Sequence, residues 1–119
     1  MINYNNLIEY AKNRIPQFAE KYDYMIGIDE IDSESGNHIV FGYVFTPILI
    51  DAIKNNDKKT IKSMFSFMDE MSKSDDVHVI EVCDQSIIEA LYDEFGDDIE
   101  QYMGNKTKDG LKAVKQYMY

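Results

Sequence analysis

Apolar residues recur at steps of three and four along most of this chain, and that period restricts it to helices packed on a shared core. Between Asn5 and Tyr24 the apolar set is Leu7, Ile8, Ala11, Ile15, Phe18, Ala19 and Tyr22, one face of a helix that Pro16 must kink or break. Asp57 is placed to cap a second clean pattern, Ile61, Met64, Phe65, Met68 and Met71. Asp75 or Asp76 can cap a third, with Val79, Ile80, Cys83, Ile87, Ile88, Leu91 and Phe95 inward and Gly96 as its stop. A short turn around Ile99, Tyr102 and Met103 ends at Gly104. A last helix then carries Leu111, Val114 and Met118 in register, with Gly110 as a weak point.

The stretch from His38 to Pro47 is less plain. His38-Ile39-Val40-Phe41-Gly42-Tyr43-Val44-Phe45 is β-branched and aromatic enough for a strand, with Thr46-Pro47 then opening a helix. The alternative is one buried helix from about Phe41 to Asn55, distorted near Pro47. No second strand is evident to pair with the first, which favours the helix. The expected fold is therefore all-α, a single domain over residues 1–119 of five to six helices, packed as helical hairpins in a HEAT-like or bundle arrangement. At 119 residues, two domains would each be too small for a sufficient core, and the 45% hydrophobic content is enough for one.

Charge is distributed more unevenly than the net −10 suggests. From Asp75 to Glu100 there are ten acids and no Lys or Arg, so the rest of the chain, with twelve acids and all twelve basic residues, is neutral. A second acid-only stretch runs from Asp23 to Glu34 through Asp29, Glu30 and Asp32, and the tail from Lys106 is mildly basic. Such a field disfavours direct nucleic-acid binding and speeds encounter with a basic protein. The plainer reading is a surface that keeps the protein soluble. Carboxylates repeated along one helix with no intrahelical cation cost stability, which is a reason to look for a use. The candidate partner-binding residues are Asp75, Asp76, Glu81, Asp84, Glu89 and Asp93, with Asp29, Glu30 and Asp32 beside them.

No catalytic, cofactor-binding or metal-binding residues are expected. His38 and His78 are the only imidazoles, neither in a nucleophile motif, and the six glycines form no phosphate loop. The segment from Glu30 to Gly36 fails as a calcium loop, because its glycine is displaced and position twelve is Phe41. His78 and Glu81 lie three apart but lack a second metal-binding pair. Cys83 reads as a small core residue. With no visible signal peptide and no apolar run near twenty residues, the expected setting is cytoplasmic, off the membrane.

Several motifs resemble one family. These are Val40-Phe41-Gly42-Tyr43-Val44-Phe45 leading into Ile50-Asp51-Ala52-Ile53-Lys54-Asn55-Asn56-Asp57; Ser74-Asp75-Asp76-Val77 with Glu81-Val82 and Glu89-Ala90-Leu91-Tyr92-Asp93; and Tyr102-Met103-Gly104-Asn105-Lys106-Thr107. Over roughly residues 40 to 115 the chain is similar to an uncharacterised family of small, acidic, all-helical bacterial proteins, some of them immunity-type. The resemblance implies an all-helical fold and a binding role, with no catalytic residues to carry over. The function expected from charge and resemblance together is a protein-binding inhibitor, an immunity protein that neutralises a basic toxin domain through its acidic surface. The rival is a non-catalytic adaptor that takes a partner helix into an apolar groove along Met64, Met68 and Met71.

Overall fold

A computed structural model describes residues 2–118. The chain starts with α1 (Leu7–Arg14) and α2 (Pro16–Gly27), separated by a single residue. Ile15 is extended (φ −127°, ψ 96°), as the residue before a proline prefers, and Pro16 opens α2, where its missing N–H costs nothing. The proline thus breaks the helix. Ile15, 1% exposed, anchors the joint in the core.

Helix α3 spans Gly36–Lys54, so the ambiguous stretch is helical from its first residue. Its middle, Phe41–Phe45, is a wide π turn, and the Thr46 N–H bonds the Phe41 carbonyl five residues back. The extra residue falls just before Pro47, which cannot donate and would crowd the preceding turn of a regular helix. Nineteen residues make α3 long and apolar enough to cross a membrane by composition alone. Here, however, Val40, Phe41, Val44, Phe45, Leu49 and Ala52 are packed in the core.

Asp57 caps α4 (Lys58–Ser72), accepting from the Thr60 N–H at 3.3 Å and the Thr60 hydroxyl at 2.8 Å. Helix α5, residues 77–95, also holds a π turn, Cys83–Ile88. Its buried doublets Val82-Cys83 and Ile87-Ile88 stand five residues apart, the mark of one residue inserted into the turn. Gly96 ends the helix at φ +64°, which favours glycine. A 3₁₀ segment, Gly96–Tyr102, leads to α6 (Asn105–Met118). The described residues form six helices and no strand, as an all-α domain requires.

Helices α3 and α5 lie side by side in the same sense. The Thr46 hydroxyl donates to the Ser86 carbonyl at 2.7 Å, and two turns on Lys54 pairs with Glu94 at 2.9 Å. Around α3, Phe18 of α2, Phe41 and Phe45 of α3 and Phe67 of α4 form an aromatic centre with ring centroids 5.4–6.4 Å apart. Met64, Met68 and Met71 are fully buried on the inner face of α4. The stripe read as a possible groove is therefore core filling.

Candidate partner-binding surface

The acidic residues singled out by charge serve several different purposes in the fold. Asp76 caps α5, accepting from the His78 N–H at 3.0 Å, while its other oxygen accepts from the Tyr4 N–H at 2.8 Å. The Tyr4 amide, foremost, holds this carboxyl below the usual range. Asn37, at the start of α3, donates to the Tyr4 carbonyl at 2.7 Å. Residue Tyr4 is therefore a strut between the beginnings of α3 and α5. It brings the end of one acid-only stretch beside the start of the other.

That tie has a pH signature. The stabilisation from Asp76 is present above 3.8, the ordinary carboxyl value, and is lost as pH falls through its lower native value. Asp76→Ala is expected to lower the melting temperature and speed hydrogen exchange at the Tyr4 amide. Unaltered Tyr4 protection would show that the strut is held elsewhere.

Asp84 is half-buried against α6. Its Oδ1 has no hydrogen-bond partner and no solvent contact, and burial pushes its pKa up to about 6. Gly110, the weak point read in α6, stands opposite. A Cβ there would collide with the Asp84 carboxylate and lie 3.0 Å from Ile88 Cδ1. The glycine lets α6 approach this close.

Glu81, Asp84 and Glu89 line a recess of about 610 Å³ between α5 and α6, with His38, Ser86 and Tyr117 on its walls. Glu81 lies 3.7 Å from His78 Nδ1, and Tyr117 is 88% exposed at the edge. The remaining candidates stand apart from this recess. Asp75 is exposed beside Lys73 and Glu70, Asp93 is exposed further along α5, and Asp29, Glu30 and Asp32 are exposed in the α2–α3 loop. Asp29 is left-handed at φ +61°, and Asp32 accepts from the Glu34 N–H at 2.8 Å, which orders the approach to α3.

Two lysines from distant parts of the chain relieve the acid run in space. Lys54 pairs with Glu94, and Lys115 donates to Asp97 at 2.6 Å while lying 5.5 Å from the Tyr92 ring centre. The hydrogen bond to Asp97 chiefly raises the pKa of Lys115. The effect is to blunt the C-terminal end of the acidic stretch, while Glu81 and Glu89, both partly exposed, face the recess. Charge counting along the chain missed His38, Ser86 and Tyr117, whose only common signal is the fold.

His38 Nδ1 lies 2.9 Å from the Ser86 hydroxyl, a pairing that invites comparison with an activated nucleophile. Among the described residues no carboxylate is within ion-pair distance of His38. The Ser86 carbonyl already receives the Thr46 hydroxyl, so the pair also braces α3 against α5. Cys83 is fully buried, and burial pushes its thiol up to about 12, so it is not a thiolate near neutrality. No cluster of three or more metal-ligating side chains occurs among the described residues.

A family described as a domain of unknown function (DUF7674) matches residues 8–118. The chain belongs to that family. The DUF7674 match reaches back to Ile8, whereas the motifs read in the sequence began near residue 40, so it takes in all but the first residue of α1, all of α2 and every recess residue named above. No curated protein and no solved structure matches the chain. One motif read in the sequence acquires a physical account: in Tyr102-Met103-Gly104-Asn105-Lys106-Thr107, the Tyr102 ring packs tilted against Phe65 at 5.2 Å and Thr107 donates to Asp69 at 2.8 Å. Gly104 is small where the Asp69 carboxylate presses on the start of α6.

Proposed function

We propose that this domain is a protein-binding inhibitor of the immunity type, bacterial and cytoplasmic, which neutralises a basic toxin domain by engaging it through its acidic side. The observation that carries the reading is the recess between α5 and α6, where Glu81, Asp84 and Glu89 converge beside the exposed ring of Tyr117. A concave wall of carboxylates with an aromatic edge suits a Lys or Arg side chain of a partner. The exposed acids around it would set the encounter rate. The α2–α3 loop, with Asp29, Glu30 and Asp32, would extend the same field towards the start of α5.

Affinity capture at low and at high salt, read by mass spectrometry, identifies the partner. A basic protein held at low salt and released at high salt is the expected result. The double variant Glu81→Lys/Glu89→Lys should then slow association about tenfold at low ionic strength and leave the circular dichroism spectrum unchanged. Both positions are partly exposed, so the variant is expected to fold. Association as fast as that of the parent, with the same salt dependence, would overturn the assignment of this surface.

A further inference from the structure

A second recess, of about 500 Å³, opens between α4 and the 3₁₀ segment. Its floor is apolar. Ile61 and Phe65 are each 4% exposed, and the Tyr102 ring lies over Phe65 with centroids 5.2 Å apart. Its rim is cationic, with Lys58 and Lys62 one helical turn apart and both exposed. Neither lysine forms an ion pair among the described residues. Ser66 and Gln101 add neutral polar groups to the lining.

The two lysines are placed against their own helix. They lie in the first turns of α4, where the helix dipole is positive, and like charges four residues apart repel. What sets this pair apart from the other exposed lysines is its place on the rim of an apolar-floored recess, in a chain of net charge −10. The one carboxylate in the lining, Asp69, is directed elsewhere: it accepts from Thr107 and faces the start of α6, with Lys73 at 3.8 Å. The volume falls within the range of small-molecule sites, roughly 300–1,000 Å³.

We infer that this recess binds a small amphipathic anion, an aryl or alkyl carboxylate, with its apolar body on Phe65 and Tyr102 and its head group between Lys58 and Lys62. The anion supplies the counter-charge that the two lysines lack and stands at the favourable end of α4. The site is independent of the acidic recess, on a different pair of elements. Its failure would leave the inhibitor reading untouched.

The test is a titration of the ¹⁵N-labelled full chain with 4-phenylbutanoate and with decanoate, using 4-phenylbutanamide as the uncharged twin. Saturable shifts are expected at the Ser66, Gln101 and Gly104 amides, with the amide twin binding about tenfold more weakly than the acid. Lys58→Gln/Lys62→Gln should abolish that preference without lowering the melting temperature, because it removes an unfavourable charge pair. Ser66→Trp, a change at an exposed position, should fill the recess and abolish binding of acid and amide alike. Absence of saturable shifts with both acids, equal binding of acid and amide, or binding that persists in Ser66→Trp would each overturn the inference.

Discussion

Phe41→Ala is expected to lower the stability of this domain by about 3–5 kcal/mol, read as a fall in the urea midpoint at an unchanged slope. Phe41 is fully buried and meets three rings, Phe18 and Phe45 at 5.4 Å and Phe67 at 6.4 Å. It also sits in the π turn that adapts α3 to Pro47, where the surrounding backbone is already committed and has little freedom to close on a void. Domains of this size are stable by only about 5–15 kcal/mol, so the variant should be near the limit of folding. Tyr43 occupies the same turn but is 62% exposed, and Tyr43→Ala should change stability by no more than about 0.5 kcal/mol. Similar losses for the two variants would mean that the aromatic centre is not where the stability of α3 resides.

Asp84→Asn should stabilise the protein at pH 7 by about 2 kcal/mol. Burial raises the native pKa of Asp84 from the ordinary 3.8 to about 6. Full burial would make that shift worth about 3 kcal/mol, and solvent screening of this half-buried side chain brings the figure down. The native state holds the proton more tightly than the unfolded chain does. The contribution is therefore fully present below 3.8 and lost as pH rises through about 6.

The charged groups lining the spaces around Asp84 are Glu81, Glu89, His38, Lys106 and Asp109. None forms a hydrogen bond with the buried Oδ1, which is unpartnered. An amide in the same place is neutral and much less costly to leave unpaired than an anion. The parent should lose stability between about pH 4 and 6 relative to Asp84→Asn, a window separate from the more acidic one of Asp76. Gly110→Ala supplies an internal check, since alanine favours the helix by up to about 1 kcal/mol but collides with Asp84. It should be more favourable in an Asp84→Ala background than alone. Equal effects in both backgrounds, or parallel pH profiles for the parent and Asp84→Asn, would sink this account of the Asp84–Gly110 contact.

Much of the fold is legible in the residue order because helices are local. Pro16 with Ile15, Asp57 with Thr60, and Gly96 at positive φ are decided within four residues, and each boundary lies where side-chain chemistry places it. The ambiguous stretch from His38 is helical because no second strand exists to satisfy a first, an argument also available from the sequence. The π turn of α5 left a trace in the five-residue step from Val82-Cys83 to Ile87-Ile88. The sequence pattern placed Ile80 and Phe95 inward instead of Val82. The structure buries Val82 fully, and Ile80 and Phe95 only partly, because a regular 3.6-residue count drifts off the true face once a residue is inserted.

The candidate surface was legible only as a charge total. Sequence order determined that ten acids would share one helix and its continuation, and that no lysine or arginine would stand among them. Tertiary structure alone decided what each acid does. Asp76 ties down Tyr4, Asp84 is buried against Gly110, Glu94 and Asp97 take Lys54 and Lys115 from elsewhere in the chain, and Glu81 and Glu89 are left facing a recess. The physical reason is one of range. Helix propensity and capping act over a few residues, whereas desolvation and ion pairing depend on whatever the fold brings within a few ångströms, however far apart in sequence.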